Sequence, residues 1–391
     1  MLKCASVHTY EIDDPEIAFE EIKSQLDEKI TLLANTVGIV MCHPEFVGCG
    51  TLKYVCENLP FDTAGVTTSS QAVNDTAGEL VLTIFVMTSD DVSFITSVTG
   101  DIEESVESAI NAAYERIAES IPETPKLALL FPTVFAAHAG DDYVNAWQAL
   151  LPKTPSFGTF AMDDTPNFDE SESIYNGDGY KNAMSFVLCC GDINPRFIVG
   201  TVPEENVMPY TGEVTKSNGA CVSEINNLNT YKYFESIGFE NNGASAVNYL
   251  FLPFAVNQKQ RADYDGIPVI RVLMTFTEDG SAIFRGNVDE GSTFTLLKCE
   301  PEDVLTTTRK KVEEINRLPD VNGVLLFSCI VRRIVSMREN PLMELETARE
   351  AMDADIPFMM GYAGGEICPT DVRDGVPSNR YHNYSLAILV L

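Results

Sequence analysis

Positive charge is scarce in this chain. Its 391 residues include 26 Lys and Arg against 58 Asp and Glu, for a formal charge of −32. So acidic a surface repels phosphate backbones and anionic bilayers, which argues against a nucleic-acid function. Long apolar runs are also missing. No segment approaches the roughly 18 uninterrupted apolar residues of a membrane span, and the N-terminus "MLKCASVHTYEIDDPE" has no stretch of signal-peptide length. The expectation is a cytoplasmic protein without membrane insertion. No cysteine pair has C-x-x-C spacing, so the ten cysteines, Cys189 and Cys190 among them, read as reduced, buried small hydrophobes. Cys42, Cys49 and Cys56 recur every seven residues, but Pro44 and Gly48 lie among them, and no metal site is expected.

What is present suits a large folded body, since 45% of the residues are hydrophobic. Asp14 and Pro15 read as the N-cap and first position of a helix whose apolar face runs through Phe19, Ile22, Leu26, Ile30 and Leu33. A similar face passes through Ile102, Val106, Ile110, Ala113 and Ile117, and Asn340-Pro341 repeats the cap and proline. Between these lie strand-like runs at 80–87, 92–98, 184–190, 268–276 and the C-terminus. The alternation predicts an α/β (α+β) fold, double-lobed, with mixed β-sheets flanked by helices.

One pattern occurs three times. "VGIVMCHP" (37–44) precedes "LPFDTAGVTTSS", "KLALLFPTV" (126–134) precedes "TPSFGTFAMDD", and "NGVLLFSCI" (322–330) precedes "IPFMMGYAGGE". Each unit reads as a strand, a connection, and a proline-led strand ending in small or acidic residues. The uneven spacing of Pro60, Pro155 and Pro357 excludes a solenoid and predicts related sheet modules. A boundary near residue 220 divides the chain into modules 1–220 and 221–391.

The corner "GYAGGE" supplies the first candidate site. Gly361, Gly364 and Gly365 would let backbone N–H groups approach an anion, with Glu366 holding a cation beside it; alternatively the glycines serve only the turn. The corner lacks the G-K-[ST] ending of a phosphate loop and does not match G-x-G-x-x-G. The neighbouring "FSCIVRR" offers Ser328, Cys329, Arg332 and Arg333, where an arginine would clamp a carboxylate or pair with a surface acid. Arg271, inside an apolar run, needs an internal ion pair or a polar pocket. Asp163 and Asp164 end the second unit as ligand groups or as turn residues. Tyr362, His382 and Asn383 complete the candidate ligand set.

Two other chemistries are open. Cys329 or Cys368 with His382 as base would make a cysteine-dependent hydrolase, although G-x-S-x-G is absent and no full catalytic constellation is evident. Cys368-Pro369 is a pair that ligates haem in some proteins, with His8, His43, His138 and His382 as further axial candidates.

Taken in order, "GVLLFSCIVRR", "IPFMMGYAGGEICP" and "RYHNYSLAILVL", preceded by "DGSAIFRGNVDEGSTFTLL", resemble the FIST family. "FDTAGVTTSS", "PSFGTFAMDD" and "NGDGYKNAMSFVL" are similar to that family's N-terminal module, so the resemblance covers nearly the whole chain. It implies a sensory module of signal transduction that binds a small ligand, amino acids in particular, with haem known in one branch. Such modules are usually joined to a kinase, cyclase or chemotaxis output. Here the two modules fill the sequence, so the expectation is a binding protein, not an enzyme, that signals through a separate partner. The sequence is silent on oligomeric state. One departure concerns the middle corner: Thr159 follows Gly158 where a second glycine is usual, which weakens Gly158 as a ligand contact.

Overall fold

The computed structural model describes all residues except 134–137, 166–167, 240–251, 260–265, 338–339 and 374, and the side chain of Glu204. Val134, the end of one repeated run, lies outside the described residues.

The three repeated units become three parallel strand pairs. Asn35–Cys42 pairs with Asp62–Thr67, Leu127–Pro132 with Ser156–Thr159, and Val324–Cys329 with Phe358–Ala363. Parallel strands need a crossover, and helices Thr51–Asn58, Gly140–Leu150 and Met343–Ala351 supply it. The members of the first two pairs approach closely because Gly65 and Gly158 lack a Cβ, which would overlap the carbonyl oxygens of Val40 and Leu130.

Each pair grows into a six-stranded mixed sheet by the same additions. An apolar strand returns antiparallel to the first member: Leu82–Ser89, Met184–Gly191 or Leu386–Val390. An outer strand then covers it: Lys3–Thr9, Val92–Val98 or Arg196–Gly200. The last two strands of each sheet come from a different unit. The hairpin Gln71–Val73/Thr76–Gly78 of the first unit pairs with the third, Ser173–Tyr175/Asp178–Tyr180 of the second with the first, and Glu366–Arg373/Val376–His382 of the third with the second. The exchange closes a ring, and the body is pseudo-threefold. Its central apolar core draws on all three sheets through residues such as Ile39, Met41, Leu129, Phe131, Leu325 and Phe327.

Helices cover the outer faces. Pro15–Lys29 starts where Asp14 Oδ1 accepts the N–H groups of Glu16 and Ile17, and it buries Ala18, Ile22 and Leu26. Leu33 lies beyond its end. Val106–Ile117 begins at Ser105, leaving Ile102 buried ahead of the helix. Asn340 Oδ1 accepts the Leu342 N–H in a turn, so the helix there starts only at Met343, two residues after Pro341.

Between Arg196–Gly200 and helix Pro301–Ile315 the third unit carries an insertion, an eight-stranded antiparallel sheet built from strands between Val207 and Leu297. Its own core gathers Phe234, Phe254, Phe284 and Phe294. The run 268–276 forms two of its strands, Val269–Arg271 and Leu273–Phe276, at opposite edges of the sheet. The fold is therefore α+β and double-lobed, a three-sheet body and a β-lobe, with 26% helix and 39% strand. Among the described residues, no helix is long and apolar enough to cross a membrane.

Candidate functional site

The "GYAGGE" corner is first of all a piece of this architecture. Gly361 packs against the core, where a Cβ would overlap the Met41 side chain. Gly365 sits at φ +138°, a conformation open to glycine, and a Cβ there would strike Tyr381. Gly364 N–H donates to the Phe160 carbonyl at 3.0 Å, and Phe160 N–H donates back to Gly365 at 3.0 Å. The corner thus launches the third hairpin across to the second sheet, and Glu366 begins that hairpin opposite Thr159.

The arginines that the sequence singles out are held by internal partners. Arg271 is fully buried. Its Nη2 donates to Asp141 Oδ1 at 2.8 Å, Nη1 to the Tyr381 carbonyl at 2.9 Å and Nε to the Asn287 carbonyl at 3.0 Å. Asp141 Oδ2 also accepts the Asn287 N–H at 2.8 Å, so this pair ties the β-lobe to helix Gly140–Leu150 of the body. Arg332 is equally buried, with Nη2 2.9 Å and Nε 3.1 Å from Glu344 Oε1, and with Thr308, Ser328 and the Val304 carbonyl as further acceptors. Ser328 donates to Glu344 Oε2 at 2.9 Å. Arg333 reaches Asp164 at 2.9 Å and Glu79 at 2.6 Å, both half-exposed, and lies over the Tyr362 ring. Asp163 is a buried turn residue that accepts the N–H groups of Thr165 and Glu170.

Glu366 is wholly buried. One carboxyl oxygen accepts from Ser385 Oγ at 2.6 Å, and the other has no hydrogen-bond partner. Burial pushes its pKa well above the usual glutamate range, with the Ser385 hydrogen bond opposing. The Cys329 thiol is its electrostatic neighbour and is itself pushed up by burial, then by the Glu366 charge. His382, the base the sequence offers, points elsewhere: its Nε2 lies 3.0 Å from the Cys368 carbonyl, and the residue lines an apolar groove with Phe197, Ile270 and Pro369. Cys368 packs in the central core, where burial raises its thiol pKa. Neither cysteine is poised as a thiolate.

The candidate residues do meet in part. Cys329, Gly364 and Asn383 line a cavity of about 170 Å³, with Val272, Ile330 and Ile334 among its apolar walls. Met274 and Arg285 of the β-lobe belong both to this cavity and to an adjoining cleft of about 520 Å³. The cleft lies between the lobes. The body contributes Gly140, Asp142, Phe160 and Tyr381, and the lobe contributes Gly286 and Asn287. Arg285 is half-buried, and its guanidinium has no hydrogen-bond or ion-pair partner among the described residues; its charge is felt at Tyr143 and Tyr381. Asp142 accepts the Ala139 N–H at 2.9 Å at the start of its helix, and burial lifts its carboxyl above the ordinary aspartate value. Sequence reasoning reaches neither Arg285 nor Asp142. The one available hint is "SAIFRGN", an arginine between a strand end and a glycine.

The chain is thus a three-sheet body with an inserted β-lobe and a cleft of mixed polar and apolar lining between them. Residues 36–228 match the FIST N domain and residues 230–369 the FIST C domain, the two matches meeting inside the β-lobe. The chain belongs to the FIST family, whose domains are associated with sensory signal transduction and small-ligand binding. No curated protein matches it.

Proposed function

We propose that this chain is a cytoplasmic receptor that binds an amino acid or small organic acid between body and lobe and reports binding to a separate signalling protein. Arg285 carries the reading. In a chain of charge −32, an arginine without an acidic partner among the described residues, at the junction of two cavities, has the fork geometry that a ligand carboxylate fits. The start of helix Gly140–Leu150 faces the same cleft and favours negative charge there. Asp142 supplies a carboxylate for a ligand ammonium, and Phe160 and Tyr381 supply aromatic walls. Arg271 and Arg332 stay in structural roles, because removing either donor from its buried acid would leave an unpaired charge.

The same arrangement favours binding over catalysis, since burial holds the Cys329 and Cys368 thiols protonated, His382 Nε2 lies against the Cys368 carbonyl, and the cleft offers recognition groups. A ligand bridging Arg285 on the lobe and Asp142 on the body interacts with both, so it favours the arrangement that brings them together. That gives a partner protein a state to read.

Thermal-shift measurements against the amino acids, common organic acids and haemin provide the test. A ligand at a hundred times its dissociation constant adds about 2.7 kcal/mol to stability. For any carboxylate ligand found, Arg285→Ala should weaken binding at least about tenfold, the loss expected for a charge-assisted hydrogen bond. An unchanged Kd in Arg285→Ala, or a shift with haemin alone, would overturn the proposal.

A further inference from the structure

The 170 Å³ cavity is nearly all apolar, with the Arg285 guanidinium at its edge and one buried acceptor without a hydrogen-bond partner on a lining residue. Asn383 lines it and is 1% exposed. Its Nδ2 donates to the His382 carbonyl at 3.0 Å, which fixes which end of the amide is which, and its Oδ1 has no hydrogen-bond partner. A buried acceptor left unpaired is costly, and among the described residues Asn383 Oδ1 is the one such buried atom that belongs to a residue lining this cavity. The cavity and the cleft where the ligand carboxylate is placed adjoin, sharing Arg285 and Met274 in their linings.

We infer that this cavity is the side-chain subsite of the same ligand, and that it selects an uncharged, mainly apolar group bearing a hydrogen-bond donor directed at Asn383 Oδ1. The inference rests on the reading of Arg285 as the carboxylate anchor. Val272, Ile330, Val331 and Ile334 accept methylene groups and offer nothing to a charge. A carboxylate in the cavity would be desolvated against the Asn383 oxygen, which repels it. An ammonium would lose its hydration for a single acceptor while Arg285 stands at the entrance. A purely aliphatic group would fill the space but leave Oδ1 unpaired. Sites built around such a hydrogen bond reject ligands that cannot make it far more strongly than apolar pockets reject a missing methylene.

Glutamine, methionine and glutamate are close in size and differ in the property at issue. Titration calorimetry of the full chain with each should rank L-glutamine first, L-methionine at least about tenfold weaker, and L-glutamate weakest. L-Threonine against L-valine repeats the comparison at smaller size. Asn383→Leu should abolish the preference for glutamine over methionine, and Ile334→Phe, which fills the cavity from a half-buried position, should weaken both while sparing glycine. Unchanged melting temperatures for the variants establish that they fold. Binding that depends on Arg285 but ranks glutamate with glutamine, or ignores Asn383→Leu, overturns this inference and leaves the receptor reading intact. No binding of any carboxylate probe overturns both.

Discussion

Replacing Arg332 by alanine tests whether this arginine serves the fold or a ligand. The change removes five hydrogen bonds, to Glu344 twice, Ser328, Thr308 and Val304, and leaves the Glu344 carboxylate 0% exposed with only two hydroxyl donors. Breaking a buried pair by deleting one partner costs about 3–5 kcal/mol. Unfolding entropy of about 2.1 cal/mol/K per residue gives about 0.8 kcal/mol/K for a 391-residue chain, so the melting temperature should fall by about 4–6 °C. This treats the body as one unfolding unit, which the ring of exchanged hairpins supports. Trp147, the single tryptophan and a buried one, is a suitable fluorescent reporter. The double variant Arg332→Met/Glu344→Leu should regain most of the loss, because an apolar pair of similar volume satisfies the same space. Ligand affinity should be unchanged where Arg332→Ala remains folded. A melting temperature within 1 °C of wild type, with ligand binding lost, would refute the structural assignment.

Two pH effects follow from the titrating groups. The native state holds a proton on Glu366 that the unfolded chain releases above the ordinary glutamate pKa, so wild-type stability should decline as pH rises from there towards the elevated folded value. Glu366→Gln should flatten that decline in urea midpoints taken across the range, and an equal slope in both proteins would rule the assignment out. His43 is held above its usual pKa, chiefly by the Asp164 carboxylate 3.8 Å from its Nε2, and Asp164 below its own by His43 and then Arg333. Their mutual stabilisation is present while Asp164 is ionised and His43 protonated; it is lost as pH rises through the raised His43 pKa or falls through the lowered Asp164 pKa. A proton NMR titration should place His43 above 6.5 and return it towards that value in Asp164→Asn; no movement would dissociate the pair.

The regular elements were legible because their signals are local. Asp14-Pro15 marks a helix start through a cap the backbone needs, and the run at 184–190 becomes strand Met184–Gly191 because buried strands carry continuous apolar sequence, while 92–98 becomes the half-buried outer strand Val92–Val98. The threefold repetition was legible as well, since each unit must supply its own parallel pair. The exchange of hairpins was not. A hairpin that pairs with its own unit and one that pairs with the next have the same turn chemistry and alternation. Only the direction in which the corner releases the chain separates them, and Gly365 at φ +138° sets that direction through packing against Tyr381, a residue of the hairpin itself.

The site shows the same division between local rule and distant partner. A charge inside an apolar run requires compensation, and on that ground Arg271 and Arg332 are conspicuous while Arg285 is ordinary. The requirement does not say who compensates. For Arg271 the answer is Asp141, 130 positions away in sequence, and for Arg332 it is Glu344, delivered by the helix that crosses between the third pair of parallel strands. Once those acids are in place, the conspicuous arginines are satisfied and the cleft is left to Arg285, which no acid pairs among the described residues. The arginine proposed to bind ligand is therefore picked out by a vacancy that three distant segments create together, the lobe hairpin, the Gly140–Leu150 helix and the strand bearing Tyr381. Arg285 carries the ligand assignment because the fold has compensated the others.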